Sequence, residues 1–232
     1  MHKTARPLPV VAIDGPAGSG KSTAAKLAAK KLGYRYLDTG AMYRTATLIS
    51  MQSGISPDDE DKLVREVEGH EMLFDYAGGV SRVLLDGQDV SEEIRLPELT
   101  RLIGPVCELP GIRRIMGGIQ RKMGENGGVV LEGRDISTVI FPDAEVKVYL
   151  DAAPEVRTRR RMQELNGRGV TANFDEVLKD LIARDKRDMT RGVAPLKKAQ
   201  DAIEIDTSDL SISEVVDKVI GLVENYVRKY CV

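Results

Sequence analysis

The chain has 232 residues, of which 42% are hydrophobic and 30% charged, and its formal net charge is −2. That length suits one α/β core with small inserts and is short for two full domains. The near-neutral balance implies no general attraction to nucleic acid or to an anionic membrane, so any anion site must come from a local concentration of Arg and Lys. Cys107 and Cys231 stand far apart, in no metal-like spacing, and read as reduced thiols. The first residues lack an apolar stretch of about 7–15 residues before the first strand, and no run approaches about 18 apolar residues. A cytoplasmic protein is expected.

Residues 8–13, LPVVAI, read as a buried parallel strand that breaks at Gly15-Pro16. Residues 21–32 are strong helix formers, with Gly33 placed to end them. Residues 34–37 read as a second strand, followed by a helix from about Ala41 to Gly54. Ser56-Pro57-Asp58-Asp59 then predicts a helix start, with Ser56 as cap, Pro57 at the first position and acids in the first turn. His70–Tyr76 and Ser81–Asp86 look like strands joined by a Gly-Gly turn and followed by Asp86-Gly87, so residues 56–102 read as a strand-rich insert. Helices are expected at 97–108 and 111–124, strands at 128–132 and 145–150, and a very basic helix at 154–165 broken by Asn166-Gly167-Arg168-Gly169. A helix at 174–188, a fifth strand at 202–206 and a final helix opened by the capping box Ser211 to Glu214 complete the chain. Five strands alternating with helices predict an α/β fold with a parallel sheet covered on both faces.

Residues 15–22, GPAGSGKS, match G-x-x-x-x-G-K-[ST] between an apolar strand and a helix. Gly15, Gly18 and Gly20 let the backbone wrap, so Gly15, Pro16, Ala17, Gly18, Ser19, Gly20, Lys21, Ser22 and Thr23 form the segment whose N–H groups are expected to hold ATP phosphates. Proline, lacking an amide, contributes only shape. Lys21 would bridge the β- and γ-phosphates, and the Ser22 hydroxyl would hold Mg²⁺ bound with the nucleotide. A plain Gly-rich turn would leave the Lys-Ser pair without a packing reason. The motif says nucleoside triphosphate binding and leaves the reaction open. The guanine-reading Asn-Lys-x-Asp of GTPases does not occur in the sequence.

Arg157, Arg160 and Arg161 fall at i, i+3 and i+4 and share one helix face. They read as a lid closing on the ATP phosphates. A solvated basic face is the alternative, and a nucleic-acid patch is a weaker one, since no aromatics are interleaved.

The segments GPAGSGKST (15–23), DTGAMYR (38–44), LLDGQDVSEEIR (84–95), EGRDISTVIFPDA (132–144), RTRRRMQE (157–164) and RDKRDMTRGVAPL (184–196) make the chain resemble bacterial cytidylate kinases, a family of P-loop nucleoside-monophosphate kinases, over essentially its whole length. The resemblance implies a P-loop kinase fold with a core at 8–38, 105–153 and 185–232, an acceptor-binding region with the insert at 39–104, and a short helical lid at 154–184. It implies that Arg44, Arg134 and Arg191 clamp the acceptor phosphate, with Thr39 beside them. Arg113 and Asp135 would read the cytosine, and Arg184 and Asp188 would hold the sugar. The family commonly has Ser where this chain has Gly104, which touches the question of base choice and not of catalysis.

The implied reaction is in-line transfer of the ATP γ-phosphoryl to CMP or dCMP, with Lys21, Arg134, Arg160 and Arg191 stabilising the transferring charge. Its partners are the nucleotides ATP, CMP and dCMP; neither nucleic acid nor membrane is expected, and the family pattern is a monomer. The acceptor phosphate is already an anion and needs no general base, which suits a chain whose two histidines, His2 and His70, lie outside the motifs. The alternatives are a kinase of another monophosphate such as UMP, a non-catalytic ATP-binding regulator, and a nucleic-acid-associated ATPase.

Overall fold

The computed structural model describes residues 6–75, 82–167 and 169–231. Five parallel strands form the central sheet: β1 (Val10–Asp14), β2 (Arg35–Asp38), β6 (Val129–Gly133), β7 (Val146–Asp151) and β8 (Ile203–Asp206), in the order β2-β6-β1-β7-β8. Because β1 lies between β6 and β7, the strand order reverses at its carboxyl end. Ligands of open α/β sheets bind at that kind of crevice.

The period-2 pattern of β1 builds a core on each face. Val11 and Ile13 pack with Ala24, Ala25, Ala28 and Ala29 of α1 (Lys21–Leu32) and with Val215, Val216, Val219 and Val223 of α8 (Ile212–Tyr230). Val10 and Ala12 face the other way, onto Leu37, Leu131, Ile136 and Phe141. Small alanines on α1 let the helix lie close to the strand that precedes it. Ser211 and Glu214 form the expected capping box at the start of α8.

A third core belongs to the insert. Met42, Leu48 and Ile49 of α2 (Thr39–Ser53) pack against Leu63 and Val67 of α3 (Glu60–Glu68), Leu99 and Val106 of α4 (Pro97–Glu108) and Ile112 and Met116 of α5 (Pro110–Gly124). The antiparallel strands β3 (Met72–Asp75), β4 (Arg82–Leu85) and β5 (Gln88–Asp89) attach through Val83 and Leu85. Asp86 and Gly87 both take positive φ, 49° and 80°, as a two-residue hairpin loop between β4 and β5 requires. The Gly-Gly turn expected at Gly78-Gly79 lies outside the described residues, as do Arg168 and the first five residues.

One expected start is corrected. Helix α3 begins at Glu60 and its cap is Asp59, whose Oδ1 accepts from the Lys62 amide at 3.3 Å. Ser56 instead closes a local turn, its Oγ accepting from the Asp58 amide at 3.2 Å. Both residues carry capping chemistry, and Asp59 is the one three residues ahead of a free amide on the amphipathic stretch. Helix α2 also starts earlier than expected, because Asp38 caps it through the Ala41 amide at 3.0 Å. The basic helix α6 (Pro154–Asn166) and α7 (Phe174–Thr190) pack as a pair on the carboxyl side of the sheet.

Candidate active site

The glycine-rich loop leaves β1 at the switch point. Gly15 lies so close to β7 that a Cβ on it would stand 2.0 Å from the Leu150 carbonyl oxygen. Gly20 is left-handed, at φ 90°, and turns the chain into α1. Inside the loop, Lys21 Nζ donates to the Pro16 carbonyl at 2.6 Å and to Ser19 Oγ at 3.4 Å. Burial, and then the neighbouring Arg134 guanidinium, push the Lys21 ammonium down to about 7. A lysine held below its ordinary value by burial and a nearby cation is one prepared for an anion.

Ser22 and Thr23 are exposed on the first turn of α1. Ser22 Oγ donates to Glu132 Oε1 at 2.7 Å. Glu132 is directly opposite Asp38 in the β2–β6 register. Burial and the Glu132 charge push the Asp38 carboxyl up to about 6. Two acids crowded beside a hydroxyl at a helix N-terminus form a hard oxygen donor set. It fits Mg²⁺, which takes one or two protein oxygens and shares the rest of its shell with phosphates and water. Thr39 Oγ1 is engaged with the Glu132 carbonyl at 2.7 Å.

Across from the loop stands a crowd of guanidiniums. Arg134 follows β6, and its Nε donates to Asp188 Oδ2 of α7 at 2.8 Å. Burial opposes ionisation of Asp188, but Arg134 and Arg184 outweigh it and hold the carboxyl below the usual range. Burial and Arg134 together push Arg184 down to about 10. Arg44, on α2, is lowered by burial and gives one N–H to the Ile94 carbonyl at 3.2 Å.

Next to this crowd, Asp135 lies between two buried guanidiniums. Its Oδ2 accepts from Arg113 Nη2 at 2.5 Å and its Oδ1 from Arg191 Nη2 at 3.3 Å. Arg113 also covers the Tyr43 ring at 5.2 Å and donates to the Cys107 carbonyl at 3.0 Å. Arg191 is braced further by Ala194, whose carbonyl accepts from its Nε at 2.7 Å. Gly104 of α4 stands against α7, where a Cβ would lie 2.7 Å from Arg187 Nη1.

The basic helix divides its arginines. Arg160 donates to Thr207 Oγ1 at 2.9 Å and to the Thr207 carbonyl at 2.6 Å, beside Gly20 of the loop. Arg161 pairs with Glu164 at 2.8 Å and is near enough to Arg44 to lower it. Arg157 is buried, and its guanidinium is engaged by the Ala152 and Ala17 carbonyls and by Asp185. A direct contact of Arg157 with phosphate would require it to leave these partners.

The structure thus gathers Lys21, Arg44, Arg134, Arg184 and Asp188 in one place, and Arg113, Asp135 and Arg191 beside them. Sequence reasoning missed four acids. Asp14 and Asp38 end β1 and β2, Glu132 is the penultimate residue of β6, and Asp185 lies on α7. Asp14 is fully buried and accepts from the Ile136 and Ser137 amides at 2.9 and 2.8 Å, which fixes the π-turn Ile136–Ile140 that follows Asp135. For the three strand acids the available signal was an acid at the end of an apolar run, where a charge has no reason to be buried unless it has a task; Asp185, among charged neighbours on α7, offered none.

A family model described as "Cytidylate kinase" matches residues 11–225. The chain is 44% identical over 213 residues to a cytidylate kinase of Carboxydothermus hydrogenoformans, covering 92% of this chain and 96% of that protein. It is 48% identical over 208 residues to a cytidylate kinase of Geobacter sp. (strain M21), covering 90% and 89%. A crystal structure of an uncharacterized protein from Eubacterium ventriosum superposes with a TM-score of 0.51 over 93% of this chain and 98% of that one. Its 14% identity makes this a likeness of fold alone.

Proposed function

This chain belongs to the cytidylate kinase family, and from that premise we propose that it transfers the γ-phosphoryl group of ATP to the 5′-phosphate of CMP or dCMP. The observation that carries the reading is the crowding of Lys21, Arg134, Arg184 and Arg44. Lys21 and Arg184 are pushed down to about 7 and about 10, first by burial and then by the Arg134 charge. A protein has no reason to concentrate cations until they depress one another unless polyanions are to be placed among them.

The donor phosphates lie along the amides of residues 15–23, with Lys21 between the β- and γ-groups. The Ser22 hydroxyl, with Glu132 behind it, would hold Mg²⁺ bound with the nucleotide, and the ion would supply neutralisation of phosphate charge. Arg44, Arg134 and Arg191 hold the acceptor phosphate, and bidentate forks suit that task best. An oxygen of the acceptor attacks in line, and the protein's work is positioning and charge stabilisation. Asp188 and Arg184 take the sugar. Asp135 and Arg113 offer an acceptor and donors that complement the amino group, N3 and O2 of cytosine. Residues 154–184, which are helix α6 and the first part of α7, act as the lid, bringing Arg160 and Arg161 to the donor phosphates and excluding water.

The test is ADP release from ATP and Mg²⁺ with CMP, dCMP, UMP, AMP and GMP supplied singly. Turnover confined to CMP and dCMP is the expected result. Turnover with another monophosphate would keep the mechanism and move the base assignment. Absence of turnover with all five would overturn the reading.

A further inference from the structure

Helix α7 faces both halves of the site. Arg184 and Asp188, four residues apart, share the face turned to the acceptor side, where Asp188 holds Arg134. Asp185 is one residue on and therefore about 100° around the helix. It is buried, and its Oδ2 accepts from Arg157 Nη1 at 2.5 Å, while its Oδ1 accepts from the Ala17 amide at 3.4 Å. Arg157 Nη1 donates in turn to the Ala17 carbonyl at 3.0 Å. Both backbone groups of one loop residue are thus held by a single ion pair. Ala17 lies between Pro16, whose carbonyl takes the Lys21 ammonium, and Gly18, which packs 3.0 Å from Arg157 Cβ at the site of its own missing Cβ.

We propose that Asp185 is a positioning residue that couples the two substrate sites, tying the register of the phosphate loop at Ala17 to the helix that carries the acceptor's Arg184 and Asp188. A buried ion pair is weak evidence for stability, because desolvation offsets its attraction. Its geometry is better matched to fixing one element against another. The loop residue it grips is an arm's length from Lys21, and the helix residue on which it rests adjoins the acceptor's handles. An acceptor that shifts α7 through Asp188 shifts the Ala17 amide with it. A nucleotide that sets the loop biases α7 in turn, and each ligand changes the other's affinity by the same factor, since coupling between two sites is reciprocal. The proposal rests on the assignment of loop and arginine crowd to donor and acceptor.

The experiment measures CMP binding by calorimetry to the full chain, with and without the non-hydrolysable analogue AMP-PNP and Mg²⁺. In the unsubstituted protein the analogue tightens CMP binding by about fivefold or more, the lower end of ordinary coupling. In Asp185→Asn that factor falls to near one, while the Kd for CMP alone changes by less than about threefold. The KM for CMP at saturating ATP rises by the lost factor. A residue that merely stabilised the fold would lower Tm and leave the factor in place, and that outcome overturns the proposal; so would an unsubstituted protein without coupling. If Asp185→Asn leaves Arg157 unpaired and the protein does not fold, Asp185→Asn with Arg157→Gln replaces the ion pair by neutral amides and carries the same readout. ADP release with CMP tests the assignment of the reaction separately, and it can persist when coupling is lost.

Discussion

The phosphate loop and the arginine wall, proposed above as the donor and acceptor sides, keep their cations in different ways. On the donor side, Lys21 rests on a carbonyl and a hydroxyl, neutral partners that a phosphate displaces at little cost. On the acceptor side the guanidiniums are stored against acids: Arg134 on Asp188, and Arg113 and Arg191 on Asp135. A pre-wired loop can accept its ligand without rearrangement. A set of paired charges must share or surrender its carboxylates, so each acid there can discriminate as well as hold. Catalytic power should therefore be most sensitive on the donor side and selectivity on the acceptor side.

The sharpest way to break that comparison is Lys21→Ala. It removes the donor half's single buried ammonium, and kcat should fall by about 10²–10³, the scale of losing one pre-organised charge partner. Near-normal turnover in a steady-state assay would remove the loop from the mechanism. The same lysine makes a pH prediction. In the free protein its pKa lies at about 7, and bound phosphate moves it back toward its ordinary value. Between those two values the complex holds a proton that the free protein does not. ATP binding at pH 8 should thus take up close to one proton, and affinity should fall as pH rises above 7. Calorimetry in buffers of different ionisation enthalpy measures the uptake, which should vanish in Lys21→Met.

Arg134→Ala comes next. It stands on the acceptor side yet, after burial, its charge does most to lower Lys21. Turnover should drop by about 10²-fold, while the Kd for AMP-PNP changes by less than about threefold. Proton uptake at pH 8 should shrink, because the Lys21 pKa rises once the repelling guanidinium is gone and more of the lysine is protonated before ATP binds, although burial still lowers it. If the analogue's affinity collapsed together with turnover, Arg134 would belong to the donor half and the division would be drawn in the wrong place.

The same contrast explains what could be read from the sequence. The donor half is one contiguous segment whose glycines, lysine and flanking strand and helix declare it, and its predicted helix over 21–32 is the observed one. The acceptor half is assembled from α2, α5, the end of β6, α7 and the turn at Arg191. Its arginines, and Asp135 and Asp188 that hold them, were reached through a family resemblance, and the acids Asp14, Asp38, Glu132 and Asp185 around them were not reached at all. Glu132 meets Ser22 across 110 residues, and Asp14 meets Ser137 across 123. No local pattern records a pairing at that distance. Arg157 shows the same limit: periodicity places it on one helix face with Arg160 and Arg161, and burial then gives it different work. The start of α3 was a local misreading, since Ser56 and Asp59 offer the same capping chemistry three residues apart.

Asp135→Asn tests the selectivity half directly. The amide keeps an oxygen for hydrogen bonding and loses the charge that Arg113 and Arg191 share. The ratio of kcat/KM for CMP over UMP should fall by about tenfold, the worth of one mismatched polar contact. Turnover on CMP should suffer less than in Arg134→Ala. An unchanged ratio would place base reading elsewhere on the acceptor wall.

Gly104→Ser is expected to have the smallest effect, and it decides whether the base pocket includes α4. A Cβ at 104 would stand 2.7 Å from Arg187 Nη1, closer than real contacts allow, and the next nearest atoms are 3.6 and 3.8 Å away on the same side chain. The atom in the way is the end of a flexible, exposed guanidinium, so Arg187 swings aside and stability should stay within about 0.5 kcal/mol. What changes is the chemistry facing the acceptor: a hydroxyl replaces a position now filled by the Arg187 fork. If that fork contributes to base choice, the substitution should shift the CMP over UMP ratio by about twofold to threefold with kcat on CMP unaltered. Arg187→Ala should shift the ratio in the same sense, since both changes withdraw the guanidinium from the Gly104 surface. A shift from Gly104→Ser without one from Arg187→Ala would assign the effect to the new hydroxyl. No shift from either would confine selectivity to Asp135 and Arg113 and leave α4 as scaffold.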